Sequence, residues 1–338
     1  MKKTLLFTLV LLLLATPIRL KAYNKGEIYW DGDLAYKVLN TTTFDVSFVG
    51  VKDTKSGAIT IPSTFDDKKG TTFHVTQVGG GGAQCKNITA ITLPETITRI
   101  EDSSFGGANL ATLVIPKNVA NISHTAFYNI GSKPKITVAD GNAAFESDAD
   151  GCLYSKGKKE LYSVPSQLDA ISGGSYTVNE DVEKIYYSAF HRVKGLTKLV
   201  LPKNLQYVDA GFPTITPSDN IAEFVIAAGG NPAYQIKGGA LCKGTELILY
   251  PRARTEKNYT VPNGITSIAS RAIDNNKFME TIDLNQVTKL NNTSLYGDQK
   301  LRTVMLPKNL EVAGVDGAIS SCENINEYKT NSVQNKFA

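Results

Sequence analysis

The sequence predicts a β-rich repeat solenoid of about ten stacked coils, and three observations carry that prediction. A short phrase recurs: Leu93-Pro94 is followed by Ile97, Ile100 and Phe105, and Ile115-Pro116 by Val119, Ile122 and Phe127. The spacing is fixed, because the step from Pro94 to Pro116 equals the step from Phe105 to Phe127. A larger unit is also duplicated, since Phe105, Phe190 and Ile273 stand at nearly equal long intervals. Coils of about 22–23 residues are too small to bury their own apolar side chains, so they must lie on one another.

The elements follow in order. Lys2 and Lys3 precede an uncharged, leucine-rich run from Leu5 to Ala15, broken by Thr16-Pro17. A membrane span needs about 20 apolar residues, roughly twice the length of this run. Residues 1–22 therefore read as a secretory signal peptide ending near Ala22. Residues 23–75 follow a different pattern. A hairpin is expected around Ile28-Tyr29-Trp30, the Asp31-Gly32 turn and Ala35 to Leu39, with strands at Phe44 to Val51 and Ala58 to Ile61. An array needs its open end covered, so this segment reads as an N-terminal β cap with Trp30 in its core. Residues 76–338 form the repeat domain, and 323–338 resemble the start of one more coil.

Within each coil, apolar residues alternate before the proline, as in Ile91 and Leu93, Leu113 and Ile115, or Val304 and Leu306. That period of two marks a short strand with one face inward, which proline ends for want of an N–H. Two inward residues three apart follow, such as Ile97 and Ile100 or Val182 and Ile185. A small residue and a large one come next, as in Ser104-Phe105, Ala126-Phe127, Ala189-Phe190 and Ala272-Ile273, read as a helical turn. Two related insertions interrupt the array. Gly151-Cys152-Leu153-Tyr154 and Leu161 to Pro165 flank Lys156-Gly157-Lys158, while Ala240-Leu241-Cys242 and Leu247 to Pro251 flank Lys243-Gly244-Thr245. Both read as β-hairpins projecting from the stack.

The charge balance excludes some functions. The chain has 36 basic and 32 acidic residues, but Lys2, Lys3, Arg19 and Lys21 leave with the signal, giving 32 of each. A nucleic-acid partner would call for a concentrated basic face, which this balance does not suggest. Cys85, Cys152, Cys242 and Cys322 lie several coils apart, at ~4.8 Å per coil, beyond the ~4.4–6.8 Å Cα reach of a disulfide. Free, mostly buried thiols are expected. His74, His124 and His191 have no second histidine or cysteine at metal-ligand spacing. Gly79 to Gly82 lacks the Lys-Ser/Thr pair of a phosphate loop, and Asp148 with Asp150 has no counterpart in the second insertion, where Lys237-Gly238-Gly239 stands. No cofactor and no metal is expected.

The phrase Ile91-Thr92-Leu93-Pro94, Ile97-Thr98-Arg99-Ile100 and Phe105, with Ala126-Phe127 and Ala189-Phe190, resembles the BspA-like leucine-rich-repeat family. So do Asp150-Gly151-Cys152-Leu153-Tyr154 and Tyr259-Thr260-Val261-Pro262-Asn263-Gly264-Ile265. The likeness covers about residues 58–325. It implies a leucine-rich-repeat array and an exported or surface protein of bacteria that acts as an adhesin or antigen toward host matrix proteins or other cells.

Candidate binding residues come from the exposed positions. The row Thr92, Val114, Val200, Val225, Asp283 and Met305 is small or β-branched, whereas binding hot spots favour Trp, Tyr and Arg. The next column carries Arg99, Lys184, Tyr207 and Lys289, and the insertions carry Lys156, Lys158, Lys159, Arg252, Arg254 and Lys257. Loops on a rigid scaffold commonly hold recognition residues, although charges there also keep a hairpin soluble. The expected function is that of a secreted or cell-surface, non-enzymatic protein binding a protein partner, such as a host matrix protein. The alternative is a glycan-capture module using exposed tyrosines and asparagines.

Overall fold

A computed structural model describes residues 23–67, 70–80, 84–168, 171, 173–186, 188–209, 220–310 and 315–330. The expected signal segment at 1–22 lies outside the described residues. Among the described residues a coil has three sides. The first is a strand pairing in parallel with its counterparts: Gly57–Thr60 with Ile88–Thr92, Thr112–Ile115 with Lys135–Val138, and Asn258–Thr260 through Thr281–Asp283 and Thr303–Leu306 to Glu327–Thr330. The second is a two-residue rung such as Arg99–Ile100, Asn121–Ile122 or Lys184–Ile185. The third brings in the bulky residue.

Register explains the repeat phrase. Leu113 lies beside Ile136, and Tyr259, Ile282 and Val304 form a single inward column, so alternate residues share one apolar interior. Ile97, Ile100, Phe105, Leu113, Val119 and Phe127 are all buried, and the Phe105 and Phe127 rings stack at 5.6 Å. Each such side chain contributes roughly 1.5–3 kcal/mol once neighbouring coils cover it. The small residue before each bulky one has no room to be larger. The Ser104 hydroxyl donates to Val78 O at 2.9 Å, and the Ser294 hydroxyl makes the same bond to Ile268 O at 2.9 Å. Gly79 stands opposite Ser104, where a Cβ would lie 2.2 Å from its Oγ, and its φ of +90° already favours glycine.

Three expectations are refined or corrected. The helical turns expected on the third side do not extend into helices. Consecutive i→i+3 bonds, Ala126 N to Ser123 O and Tyr128 N to Thr125 O, both 3.0 Å, wind tight turns, and left-handed residues such as Ser103, Arg271 and Thr293 stop a helix from propagating. Toward the C-terminus this side becomes a ladder of Ile273–Asp274, Leu295–Tyr296 and Ile319–Ser320, beside a four-residue helix Val315–Ala318. Nor do the hairpins project. Phe145–Ser147, Leu153–Ser155 and Glu160–Ser163 make an antiparallel sheet whose last strand is itself a rung, pairing in parallel with Lys184–Ile185. Both of its faces are covered, because Tyr154 and Leu161 face the C-terminal core while Leu153 and Tyr162 pack with the N-terminal one. Tyr234–Lys237, Ala240–Lys243 and Glu246–Leu249 repeat the arrangement.

The third correction concerns Trp30, which is 47% exposed and lies under Lys52 Nζ at 6.0 Å instead of in the cap core. Tyr23, Tyr29, Tyr36, Phe65 and Phe73 fill that core with stacked and edge-on rings. The parallel ladder already begins at Asp45–Val51, which pairs with Thr72–Val78, and the antiparallel hairpin Ile28–Asp31/Leu34–Val38 closes its outer edge. Closing that edge protects the first coil from pairing with another chain.

Three buried or half-buried asparagines fasten the bends where coils change direction. Asn142 Nδ2 donates to Pro116 O and Val119 O, both at 3.0 Å, while its Oδ1 accepts from Ala144 N at 2.9 Å and Phe145 N at 2.8 Å. Asn231 and Asn276 make the same kind of bridge to Tyr234 N and Met279 N. Replacing Asn142 by alanine takes the side-chain partner from Val119 O, Ala144 N and Phe145 N, while Pro116 O keeps its bond from Val119 N, so Asn142→Ala should lower the urea unfolding free energy by about 2–4 kcal/mol. Asn142→Asp, which cannot donate to the two carbonyls, should not restore it.

Candidate functional site

The second side carries a row of residues aligned by strand register, most of them exposed or half-buried and Ser47 buried. Ile28, Lys37, Ser47, Gln77, Arg99 and Asn121 are successive neighbours across one sheet. Glu160, Lys184 and Tyr207 continue the pattern after the first hairpin, and Glu246, Ser267 and Lys289 after the second. The expected column of Arg99, Lys184, Tyr207 and Lys289 therefore exists. Lys159 joins it at the hairpin turn, where its carbonyl accepts from Glu183 N and Lys184 N.

Most of these cations are already paired within the coil stack. Arg99 meets Glu101 at 2.7 Å, Lys159 meets Glu183 at 2.8 Å, Lys184 meets Glu160 at 2.8 Å, and Lys156 approaches Glu146 at 3.6 Å. Lys158 Nζ sits 5.9 Å from the Tyr154 ring centre. Exposed pairs of this kind contribute about 0–1 kcal/mol and leave donors open to a partner. Tyr207 is 44% exposed, with its ring 6.5 Å from that of Tyr186.

The second hairpin gives a different result. Arg252, Arg254 and Lys257 do not join the second side; they follow the hairpin at the corner leading into the next first-side strand. Arg252 is buried and hydrogen-bonded to buried Asp274 in the next coil, so it is a structural group and not an exposed binding residue. Removing one partner of such a pair costs about 3–5 kcal/mol. Arg254 bonds Glu256 at 3.0 Å and Lys257 bonds Glu280 at 2.8 Å.

A notch of about 360 Å³ lies between Asn121–Ile122 and the first hairpin, lined by Glu101, Asn121, Ser123, His124, Phe145 and Tyr162. His124 lies flat on Tyr186, with ring centres 3.5 Å apart, and burial holds its pKa below the usual histidine value. Burial works to raise the Glu160 carboxyl, but hydrogen bonds from Lys184 and Tyr162 outweigh it and hold the group below the usual range. Among the described residues no three of His, Cys, Asp and Glu converge as a metal site. Cys85, Cys152 and Cys242 are buried free thiols and Cys322 is half-buried. Burial pushes Cys85 and Cys152 up to about 12, and Cys242 and Cys322 up to about 11, far from a nucleophile's range.

Sequence reasoning missed three groups. Ile28 and Trp30 are exposed on the outer side of the cap hairpin, beside a hollow that also includes Lys52 and Asp53. Buried Lys133 donates from Nζ to Ser188 O and Ala189 O, at 3.1 and 2.7 Å, and joins coils on either side of the first hairpin. Arg192, Lys194, Lys277 and Lys300 gather at one corner. A signal for the last group was available, since the step from Lys194 to Lys277 equals that from Phe190 to Ile273.

This geometry defines a parallel-stacked leucine-rich-repeat solenoid with long lateral surfaces. Six copies of the BspA type leucine rich repeat region match residues 83–177, 170–212 and 253–337, and the chain belongs to that family. The structure is similar to that of the pneumococcal vaccine antigen PcpA, at 16% identity and a TM-score of 0.50, over 92% of this chain and 95% of that one. It is also similar to a leucine rich cell surface protein from Faecalibacterium prausnitzii A2-165, at 14% identity and a TM-score of 0.40, over 92% and 96% of the two chains. A leucine-rich repeat protein from Bacteroides ovatus ATCC 8483 aligns over 89% and 76%, at 12% identity and a TM-score of 0.36. No curated protein matches the chain. Among the described residues no helix is long and apolar enough to cross a membrane.

Asp298 lies beneath the Arg252–Asp274 pair, fully buried, with Oδ1 accepting from Asn276 N and Oδ2 without a partner. Burial raises its pKa well above the usual carboxyl value. The native state therefore holds a proton that the unfolded chain releases above about pH 4. The neutral acid's contribution is complete below that pH and is lost as pH rises toward the native pKa. Asp298→Asn, which keeps the acceptor without the charge, should raise the thermal midpoint at pH 7. The gain should vanish below about pH 3.5, as read from melting curves across pH.

Proposed function

We propose that this protein is an exported, non-enzymatic binding protein that presents the second side of its solenoid to a protein partner, in adhesion to host or neighbouring-cell proteins. One observation carries the reading. A single rigid side holds exposed apolar and aromatic anchors, Ile28 and Tyr207, among cations whose positions are set by glutamate partners, while Trp30, two residues along the Ile28 strand, aligns with the third side. Protein interfaces concentrate their energy in Trp, Tyr and Arg within a polar rim, and that is the chemistry of this row. Lys156, Lys158, Lys159, Arg99, Lys184 and Lys289 supply the rim. Arg254 and Lys257 lie off this side and contribute least, and Arg252 only structurally. Family membership and the description of PcpA as a vaccine antigen support export and surface exposure.

The test is binding of purified residues 23–338 to a panel of purified extracellular-matrix proteins and to intact neighbouring cells. The double substitution Ile28→Ala and Tyr207→Ala should weaken attachment by at least about tenfold, the scale of one hot spot. Serine at Lys156, Lys158 and Lys159 should weaken it less and steepen its loss with salt. Full attachment by the double variant would refute the assignment of this side.

A further inference from the structure

The notch beside the first hairpin differs in chemistry from the rest of the second side. Its wall is aromatic. His124 lies flat on Tyr186, with ring centres 3.5 Å and planes 11° apart, and Tyr162 leans on both at 5.5 and 5.3 Å. Phe145 meets Tyr162 edge-on at 5.4 Å. These rings come from both sides of the hairpin, and the Ser188 hydroxyl, donating to His124 O at 2.9 Å, ties the same two coils together. The notch is therefore built into the stack before any partner arrives.

Its electrostatics favour a cation. Glu101 lines the opening, and Asp102 is hydrogen-bonded to Ser123 of the lining. Glu101 is paired with Arg99 and Glu160 with Lys184, one cation to each acid. Asp102 differs, because hydroxyls donate to it: Ser123, and Thr125 at 2.6 Å. Those bonds hold its carboxyl below the usual range without neutralising its charge. The carboxylates of Glu160, Asp209 and Asp102 all favour a proton on His124, and Lys184 works against it. Burial overrides the acids and keeps the ring neutral at pH 7. Among the described residues the lining holds no lysine or arginine, and residues 187 and 210–219, outside the described residues, contain none in sequence.

Acids around an aromatic hollow suit an arginine better than any other side chain. The planar guanidinium stacks on aromatic rings, and its forked N–H groups match a carboxylate. Rings also attract a cation through their negative faces, most strongly where water is excluded. We propose that the notch receives an arginine side chain of the protein partner, with Glu101 and Asp102 meeting its charge and His124 and Tyr162 its plane. This inference rests on the second side being the protein-binding side and adds what that side selects. Lys156 and Lys159 on the hairpin, and Arg99 beside Asn121, flank the notch, so the arginine is expected between acidic residues of the partner.

Two labelled peptides would be titrated with purified residues 23–338 and followed by fluorescence anisotropy. One carries a single arginine between two glutamates, and the other has citrulline, its uncharged isostere, in that place. The arginine peptide should bind at least about tenfold tighter, the scale of one hot spot. The variant E101Q/D102N should lose most of that preference. The variant E180Q/E223Q, which loses the same charge elsewhere, should keep it within about twofold. His124→Lys places a cation in the notch and should also abolish the preference; it decides the matter if E101Q/D102N melts at a lower temperature. Equal binding of the two peptides by the parent would overturn the proposal. So would a preference that survives in both notch variants, or one that E180Q/E223Q loses equally. The Ile28→Ala and Tyr207→Ala variant is altered outside the notch and should keep the preference. Its attachment to matrix proteins reads the side as a whole, whereas the peptide pair reads the notch alone.

Discussion

The structure depends on one constraint: no coil can bury its apolar residues without the coil on either side. Ile100 is covered because Val78 precedes it and Ile122 follows, and Phe105 because Phe127 lies on its ring. Stability is therefore a sum over contacts between neighbours, and the ends are the vulnerable places. The cap answers this at one end with an aromatic core and a closing hairpin. At the other, Tyr328 occupies the inward column of Tyr259, Ile282 and Val304 yet is 54% exposed, because nothing among the described residues lies beyond it.

The same constraint separates structure from function. Inward positions are committed to packing, so recognition is left to outward rows and corners, where each step along the stack offers a new side chain at nearly constant spacing. The hairpins divide these surfaces into segments while their last strands serve as ordinary rungs; the first stands between the N-terminal and C-terminal cores, and the second lies within the C-terminal one. Among the described residues of the coils, buried charges lie where the stack changes course. Arg252 with Asp274, and Lys133 with its two carbonyls, hold the stack together where the regular ladder is interrupted.

Much of this was legible in the sequence because a solenoid writes its interior as a period. Proline positions, inward pairs such as Ile97 and Ile100, and the small-large pairs all follow from coil geometry. What was not legible depends on contacts between coils that no local pattern reports. Arg252 follows a proline in an apparent loop and looks exposed, and only Asp274, one coil later, shows where it goes. Trp30 was expected inside the cap, but five other rings already fill that space. The hairpins looked like projections because two strand-like pieces flank a polar turn in each, although their apolar residues run on without a break through Leu161 to Pro165 and Leu247 to Pro251. That continuity instead records burial on both faces. The outward column was read correctly from spacing, although its pairing with Glu101, Glu160 and Glu183 required coordinates.

Hydrogen exchange of Phe127→Ala, followed by mass spectrometry, tests mutual burial most directly. Removing this ring opens a cavity under Phe105 and beside the first hairpin, so faster exchange should spread into the coils on both sides, around residues 98–108 and 160–166. The cap around residues 45–51 should change least. Faster exchange confined to residues 112–130, with both neighbouring coils as protected as in the parent, would mean that each coil holds itself together and would contradict this account.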